Sequence, residues 1–128
     1  MVQWWPGCSG SGLPMPADPA RAARIAALND AFRRTMGALG GRVMQTRGIA
    51  ALPPADQAAI QAQVAAYDAF TPANDPYGEH DFGAFAHQGE HIFWKIDYYD
   101  HTLEYGSDDP SRPEITTRVL TIMLAHEY

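Results

Sequence analysis

The sequence has little of what a disulfide framework, a cysteine-rich zinc site or a membrane span requires. It contains a single cysteine, Cys8, which excludes an internal disulfide and indicates a reducing compartment. No apolar run approaches the roughly 18 to 20 residues of a transmembrane helix. Residues 1–16 lack the basic and apolar regions of a signal peptide. These absences predict a cytoplasmic protein that does not interact with membranes.

Motifs of nucleotide and nucleophilic chemistry are also missing. There is no Walker A loop, no G-x-G-x-x-G and no G-x-S-x-G, so a nucleotide cofactor and a nucleophile elbow have no support. The HExxH motif and the EF-hand loop are absent as well. We therefore expect no cofactor and no bound metal, and the sequence does not favour an enzyme.

Basic residues are scarce in the second half of the chain, where Lys95 is the only lysine of the protein. Residues 68–114 contain eleven acidic and two basic residues, a net charge of −9, whereas residues 1–67 carry +3. An acidic surface repels phosphate, so nucleic-acid binding is disfavoured. The simplest interpretation is a solvated surface that aids solubility. A cation site, a basic protein partner or mimicry of nucleic-acid charge are the alternatives.

The chain divides into two regions. Residues 1–16 are rich in Gly, Pro and Ser and are predicted to be a disordered or loosely attached arm, in which Trp4 and Trp5 are either anchors or an exposed tail. Translation could begin at Met1 or at Met15. Residues 17–128 are predicted to form a single α+β domain.

The segment 76–105 is the centre of the predicted fold, because it contains four of the five histidines and many of the aromatic residues. Two alternating runs flank Gln88-Gly89, which predicts a hairpin with a short loop. A two-residue loop places Gly83 opposite Trp94, leaving room for the indole, and His80 opposite Asp97. The predicted core face then carries Phe85, Ile92, Trp94, Ile96 and Tyr98. The other face carries His80, Phe82, Ala84, Phe93, Lys95, Asp97 and Tyr99.

Three helices are predicted, near residues 19–37, 54–70 and 112–126. Asp18 followed by Pro19 is typical of a helix start. The buried stripes are Ile25, Leu28, Phe32 and Met36 in the first helix and Ile60, Val64 and Tyr67 in the second. The first helix also carries four arginines off its stripe, expected on a solvated face or against the acidic half: Arg21, Arg24, Arg33 and Arg34.

The last segment is ambiguous. Ser111 and Glu114 match a capping box and Ile115, Val119 and Ile122 follow a helical stripe, although the β-branched residues there would suit a strand. We predict a helix. Residues 42–48 alternate and are predicted as a strand beside the hairpin. The expected fold is a three-stranded antiparallel sheet packed by about three helices.

A polar cluster near the start of the hairpin is the first candidate site. Glu79, His80 and Asp97, with Asp100 and His101 nearby, could act as an acid/base or metal site, and His80 and Asp97 would be the ligands of a metal. An ordinary cross-strand pair of His80 and Asp97 is the simpler interpretation. Asp81 falls on the core face, where a carboxylate needs hydrogen bonds or partial exposure, and we expect it to cap the preceding turn.

An aromatic and charged surface is the second candidate site. Its residues have the composition of interface hot spots: Phe82, Phe93, Lys95, Tyr99, Asp100 and His101. The alternative is that a helix covers these aromatic side chains.

Three segments carry a resemblance to a known family: Gly78–Phe85, Phe93–Asp100, and Arg118–Ala125 with Glu127-Tyr128. They resemble a family of short bacterial proteins catalogued as a domain of unknown function, common in alphaproteobacteria and in plasmid-rich or mobile gene neighbourhoods. The resemblance extends from about Ala20 to the C-terminus. It implies no activity, cofactor or catalytic residue, but it does imply a link to plasmid maintenance or to countering host defence.

The sequence therefore predicts a non-enzymatic protein that binds a macromolecule. The expected partner is another protein, and a second copy of the chain, in a homodimer, is one candidate. The alternative is a metal-dependent or acid/base hydrolase that uses His80 and the neighbouring carboxylates. Convergence of these groups in a concave pocket would favour the hydrolase, and their dispersion over a sheet face would favour the binding protein.

Overall fold

A mixed sheet of four strands forms the frame on which the helices pack. Its strands are β1 (Arg42–Gln45), β2 (Phe82–His87), β3 (Glu90–Tyr99) and β4 (Thr117–Leu124), in the spatial order β1-β4-β3-β2. The β2–β3 and β3–β4 pairs are antiparallel, and β1 pairs with β4 in parallel. The computed structural model describes residues 18–38 and 40–128, so the predicted arm of residues 1–16 lies outside the described residues.

Three helices of residues 18–38 and 40–128 pack with the sheet: α1 (Pro19–Arg34), the single turn α2 (Arg47–Ala50) and α3 (Pro54–Ala66). The Asp18 carboxylate accepts the backbone N–H of Arg21 at 3.1 Å and Pro19 occupies the first helical turn, as predicted. α1 and α3 end several residues earlier than predicted. The predicted α+β class is confirmed.

The predicted hairpin register is confirmed. Gly83 pairs with Trp94 and Phe85 with Ile92, and the loop consists of two residues. Gln88 and Gly89 both have positive φ, 50° and 85°, which is the conformation of a type I′ turn. A Cβ atom on Gly83 would overlap the Trp94 indole, so the glycine provides the space that the ring occupies.

The predicted C-terminal helix is wrong. Residues 113–115 form only a 3₁₀ turn, and the chain then enters strand β4. This strand lies between β1 and β3, so β1 is not beside the hairpin and the sheet has four strands in mixed orientation instead of three antiparallel ones. The β-branched side chains of Thr117, Val119, Thr121 and Ile122 favour a pleated strand, and sheet pairing on both edges outweighs the capping box.

The helices pack on one face of the sheet, called the inner face here. The core on this face consists of Phe32, Ile49, Ile60, Val64, Ile92, Trp94, Ile96, Leu120, Ile122 and Leu124. Each of the three helices contributes at least one of these residues. The side chains at alternate positions of β2 and β3 therefore point to the opposite, outer face, as predicted.

No helix in residues 18–38 or 40–128 is long and apolar enough to cross a membrane.

Candidate functional site

Arg33 is fully buried between α1 and the end of α3, so its predicted position on a solvated face is wrong. Its guanidinium lies 5.5 Å from the centroid of the Phe70 ring and 5.0 Å from that of Trp94. It also donates to Asp30 at 2.7 Å. It further donates to three main-chain carbonyls, at 2.8, 3.2 and 2.8 Å, those of Val64, Ala65 and Tyr67. Arg33 therefore fastens the two long helices to each other.

Arg21 makes the contact with the acidic half that was the alternative for the arginines of α1. Its guanidinium donates to the Asp109 carboxylate at 3.0 Å. Arg24 and Arg34 are exposed, as predicted for a solvated face. The helix is thus joined to the loop after β3 at one end and to α3 at the other.

His80 faces α1 instead of Asp97. Its φ of 57° is not that of a strand, so the extended backbone of β2 does not reach back to His80. The His80 ring stacks on the Phe70 ring, and the ring centroids are 3.9 Å apart. Nδ1 lies 3.1 Å from the Asp30 carboxylate and Nε2 lies 3.7 Å from that of Asp75. The predicted cross-strand pair is therefore wrong, and Asp97 binds Lys95 at 3.0 Å on the outer face.

Glu79 belongs to a closed network of buried polar groups. Tyr98 donates its hydroxyl hydrogen to Glu79 at 3.1 Å, and the Asn29 amide donates to the Glu79 carbonyl at 2.9 Å and to the Tyr98 hydroxyl at 2.8 Å. Arg118 donates to the Asn29 side-chain oxygen at 2.6 Å. Burial raises the pKa of Glu79, and the hydrogen bond from Tyr98 opposes this effect. The network joins α1 to β3 and β4.

Asp81 directly precedes β2 and continues its pairing with β3, because the Asp81 carbonyl accepts the Ile96 N–H at 2.9 Å. Burial raises the pKa of its carboxyl group to about 7, and the nearby carboxylates of Glu79, Asp75 and Asp97 act in the same direction. The carboxylate that accepts a backbone N–H in the preceding turn belongs to Asp75, which binds the N–H of His80 at 3.3 Å. The predicted capping role therefore belongs to Asp75 and not to Asp81.

Two shallow clefts lie on either side of the loop that leads into β2. The first, of about 250 Å³, is lined chiefly by Asp30, Arg33, Arg34, Tyr67, Phe70 and His80. The second, of about 240 Å³, is lined by Asn74, Asp75, Tyr77, Asp81, Phe82 and Tyr128. Of the three predicted catalytic candidates, only His80 lines either cleft.

The outer face carries a group of aromatic rings. Phe82, Phe93 and Tyr128 contact one another edge to face, with centroids 5.3 to 6.0 Å apart. The Lys95–Asp97 ion pair lies on the same strand and face as Phe93. Of the residues predicted as a binding surface, Phe82, Phe93, Lys95 and Tyr99 share the outer face.

Asp100 and His101 lie beyond the end of β3, where they hold the following loop. The Asp100 carboxylate accepts from the backbone N–H and hydroxyl of Thr102, and the hydroxyl bond is the main cause of its lowered pKa. The His101 ring contacts the Glu114 carbonyl at 2.6 Å and the Thr117 hydroxyl at 3.2 Å. Both residues follow Tyr99, at the end of β3 that is farther from Phe93.

In residues 18–38 and 40–128, no group of three or more His, Cys, Asp or Glu side chains is arranged to hold a metal ion. The structure instead brings together residues that the sequence did not indicate as partners. Asn29, Asp30 and Arg118 come from α1 and β4, far in sequence from the hairpin. Tyr128 completes the aromatic group from the C-terminus. No local pattern marks them, because each is recruited by a contact across the fold.

Replacing Asp81 with asparagine is expected to stabilise the protein more at pH 8 than at pH 5. The carboxyl group has a raised pKa in the folded state, so between pH 4 and pH 7 the unfolded chain releases a proton that the folded chain retains. Stability therefore falls as the pH rises through this window. Removing the charge should increase the free energy of unfolding at pH 8 by on the order of 1 to 2 kcal/mol.

Urea denaturation at both pH values measures this difference. Asp100→Asn is a control for which the opposite change in stability is expected. Hydrogen bonds lower the pKa of Asp100, so losing this carboxylate should decrease the free energy of unfolding at pH 8. An equal effect of Asp81→Asn at the two pH values would show that ionisation of this group is not responsible.

Comparison with known protein families identifies a match over most of the chain. A family model described as "Protein of unknown function (DUF3768)" matches residues 45–127. No curated protein and no solved structure matches the chain.

Proposed function

The chain belongs to the DUF3768 family of proteins of unknown function, and we propose that it is a non-enzymatic protein that binds a basic protein partner through its acidic hairpin half. The observation that supports this proposal is the position of the three helices in the described part of the chain, which pack on the inner face of the sheet, so that the aromatic residues of the outer face are not part of the core cluster. A partner-binding protein of this kind suits plasmid maintenance or the countering of host defence.

The composition of the outer face suits an interface. Phe82, Phe93 and Tyr128 are clustered aromatic rings, and aromatic residues are enriched at the centres of protein interfaces. Around them the chain is strongly acidic, with a net charge of −9 over residues 68–114. Such a field accelerates association with a positively charged surface and disfavours an acidic one. The chemistry thus favours a partner with basic and apolar side chains.

The geometry gives less support to a hydrolase. Both ring nitrogens of His80 have a carboxylate neighbour, Asp30 at 3.1 Å and Asp75 at 3.7 Å, so a substrate would compete with these groups for the imidazole. Glu79 is held by Tyr98, and Asp97 is held by Lys95 on the outer face. The three candidate groups have three separate sets of partners and do not converge on one reacting position.

Selection of short random peptides displayed on phage against the full chain tests the proposed function. We expect the enriched peptides to carry net positive charge together with aromatic or aliphatic residues. The variant Phe93→Thr, which keeps a side chain suited to a strand, should bind the selected peptides roughly tenfold more weakly because a central aromatic contact is lost.

Arg24→Ala is the matched control, since this exposed residue lies on α1 and should leave peptide binding unchanged. Circular dichroism establishes that both variants are folded. Enrichment of acidic or uncharged peptides, or equal binding by Phe93→Thr, would contradict the proposal.

A further inference from the structure

The cleft beside the aromatic group has the size of a side-chain subsite. Its volume of about 240 Å³ is below the range of roughly 300 to 1,000 Å³ that is usual for sites of small-molecule ligands. Tyr77 and Tyr128 line the cleft and are 68% and 63% exposed, which is unusual for such large side chains. Phe82 lies between the cleft and the aromatic group and packs edge to face with Tyr128. The cleft is therefore continuous with the outer face.

A carboxylate without a counter-ion lies in this cleft. The charged groups that shift the pKa of Asp81 are all carboxylates, namely Glu79, Asp75 and Asp97, and they raise it together with burial. In the described part of the chain, no other residue donates a hydrogen bond to the Asp81 side chain. Asp75, the second carboxylate of the cleft, already binds the backbone of His80.

The cations of the chain do not supply this counter-ion. All nine lysine and arginine residues belong to the described part of the chain, because residues 1–17 and Leu39 include none. None of the nine is among the main charged groups that shift the pKa of Asp81, and three of them are paired elsewhere: Lys95 with Asp97, Arg21 with Asp109 and Arg33 with Asp30. A cation that enters from outside would therefore gain the attraction of Asp81 without displacing an internal partner.

The walls of the cleft suit the same ligand. The faces of aromatic rings attract ammonium and guanidinium groups, and the attraction grows where water is excluded. The phenol rings of Tyr77 and Tyr128 and the phenyl ring of Phe82 line the same cleft as Asp81. A long aliphatic stem with a cationic end would contact the rings along its length and reach the carboxylate with its tip.

We infer that the cleft of Tyr77, Asp81, Phe82 and Tyr128 receives one lysine or arginine side chain of the partner. This inference rests on the proposed function and deepens it, because it assigns the specificity for a basic partner to a defined position. The aromatic group of the outer face then supplies the apolar part of the interface, and Asp81 selects the charged residue next to it.

Nuclear magnetic resonance titration of the full chain tests the cleft directly. The probes are N-acetyl-lysinamide, N-acetyl-argininamide and N-acetyl-norleucinamide, of which the last has an aliphatic chain without a cation. We expect the amide resonances of Asp81, Phe82 and Tyr128 to shift and saturate with the two cationic probes and to remain unchanged with norleucinamide. Asp81→Asn should weaken binding of the cationic probes by roughly tenfold or more.

Asp108→Asn is the matched control, because it removes the same charge from an exposed loop position and should leave the titration unchanged. Equal shifts with norleucinamide, or unchanged binding by Asp81→Asn, would overturn the inference. Shifts of the same resonances that depend on protein concentration, with no probe added, would also overturn it, since a second copy of the chain would then fill the cleft.

The peptides selected by phage display distinguish this inference from the proposed function. If Phe93→Thr loses peptide binding and Asp81→Asn retains it fully, the outer face binds the partner and the assignment of the cation to this cleft is wrong. If both variants lose binding, both proposals are supported. If neither variant loses binding, both are wrong.

Discussion

Replacing Arg33 with alanine is expected to lower the free energy of unfolding by about 4 kcal/mol, the largest effect of any substitution proposed here. The guanidinium makes hydrogen bonds to three carbonyls at the end of α3 and an ion pair with Asp30. Its removal deprives these carbonyls and the Asp30 carboxylate of a charged donor and opens a cavity beside Phe70 and Trp94. Urea denaturation monitored by tryptophan fluorescence measures the loss.

Two further substitutions define the origin of this effect. Arg34→Ala removes an adjacent guanidinium whose side chain is 67% exposed, and it should change stability by less than about 0.5 kcal/mol. Arg33→Lys keeps the charge but has no planar fork to reach several carbonyls at once, so it should restore only part of the loss. Full restoration by lysine would mean that charge alone, and not the hydrogen-bonding geometry, is responsible.

Replacing Gly83 with alanine is expected to lower the free energy of unfolding by about 3 kcal/mol, because the new methyl group overlaps the Trp94 indole. The ring cannot move aside easily, since Trp94 is fully buried and contacts Tyr67, Phe70 and Arg33. Gly106→Ala is the control, because the nearest atom to an added Cβ there, the Tyr98 carbonyl oxygen, lies at 3.8 Å. Thermal unfolding followed by circular dichroism compares the two variants.

A double-mutant cycle identifies the indole as the cause. In a Trp94→Phe background the smaller ring should make room for the methyl group, so Gly83→Ala should cost less by on the order of 1 kcal/mol or more. Identical costs in both backgrounds would locate the effect in the backbone of β2 instead of in the contact between the two residues.

The hairpin could be predicted because its determinants are local. Alternation along two adjacent runs sets the faces, and Gln88-Gly89 sets the loop length, so the partners of Phe85 and Gly83 follow from counting. The determinants of the starts of α1 and α3 are equally local, since each start depends on a few residues at the helix N-terminus. Where neighbouring residues specify the structure, the sequence was sufficient.

The C-terminal strand could not be predicted because its determinants are distant. Residues 122–124 are all buried, so the two-residue alternation that marks a strand disappears there. The capping pattern at Ser111 and Glu114 then favoured a helix. What decides the outcome is pairing with β1 and β3, and the β1 partner lies more than seventy residues earlier in the chain.

The candidate site was predicted in part. Phe82, Phe93, Lys95 and Tyr99 share one face because strand geometry places them there. His80 was misplaced because its positive φ, which no neighbouring residue indicates, turns it towards α1. The burial of Arg33 was missed because its partners are carbonyl groups, which leave no signature in a sequence.

The central position of β4 has a consequence for synthesis on the ribosome. The strand that joins β1 to the hairpin follows both of them in the chain, so a nascent chain that has already made its helices and its hairpin still lacks the middle of its sheet. Until residues 117–124 leave the exit tunnel, β1 lacks the strand with which it pairs. The core that contains Ile49 and Trp94 then also lacks Leu120 and Ile122. The interval before β4 emerges is therefore when chaperones and proteases have most access to this domain.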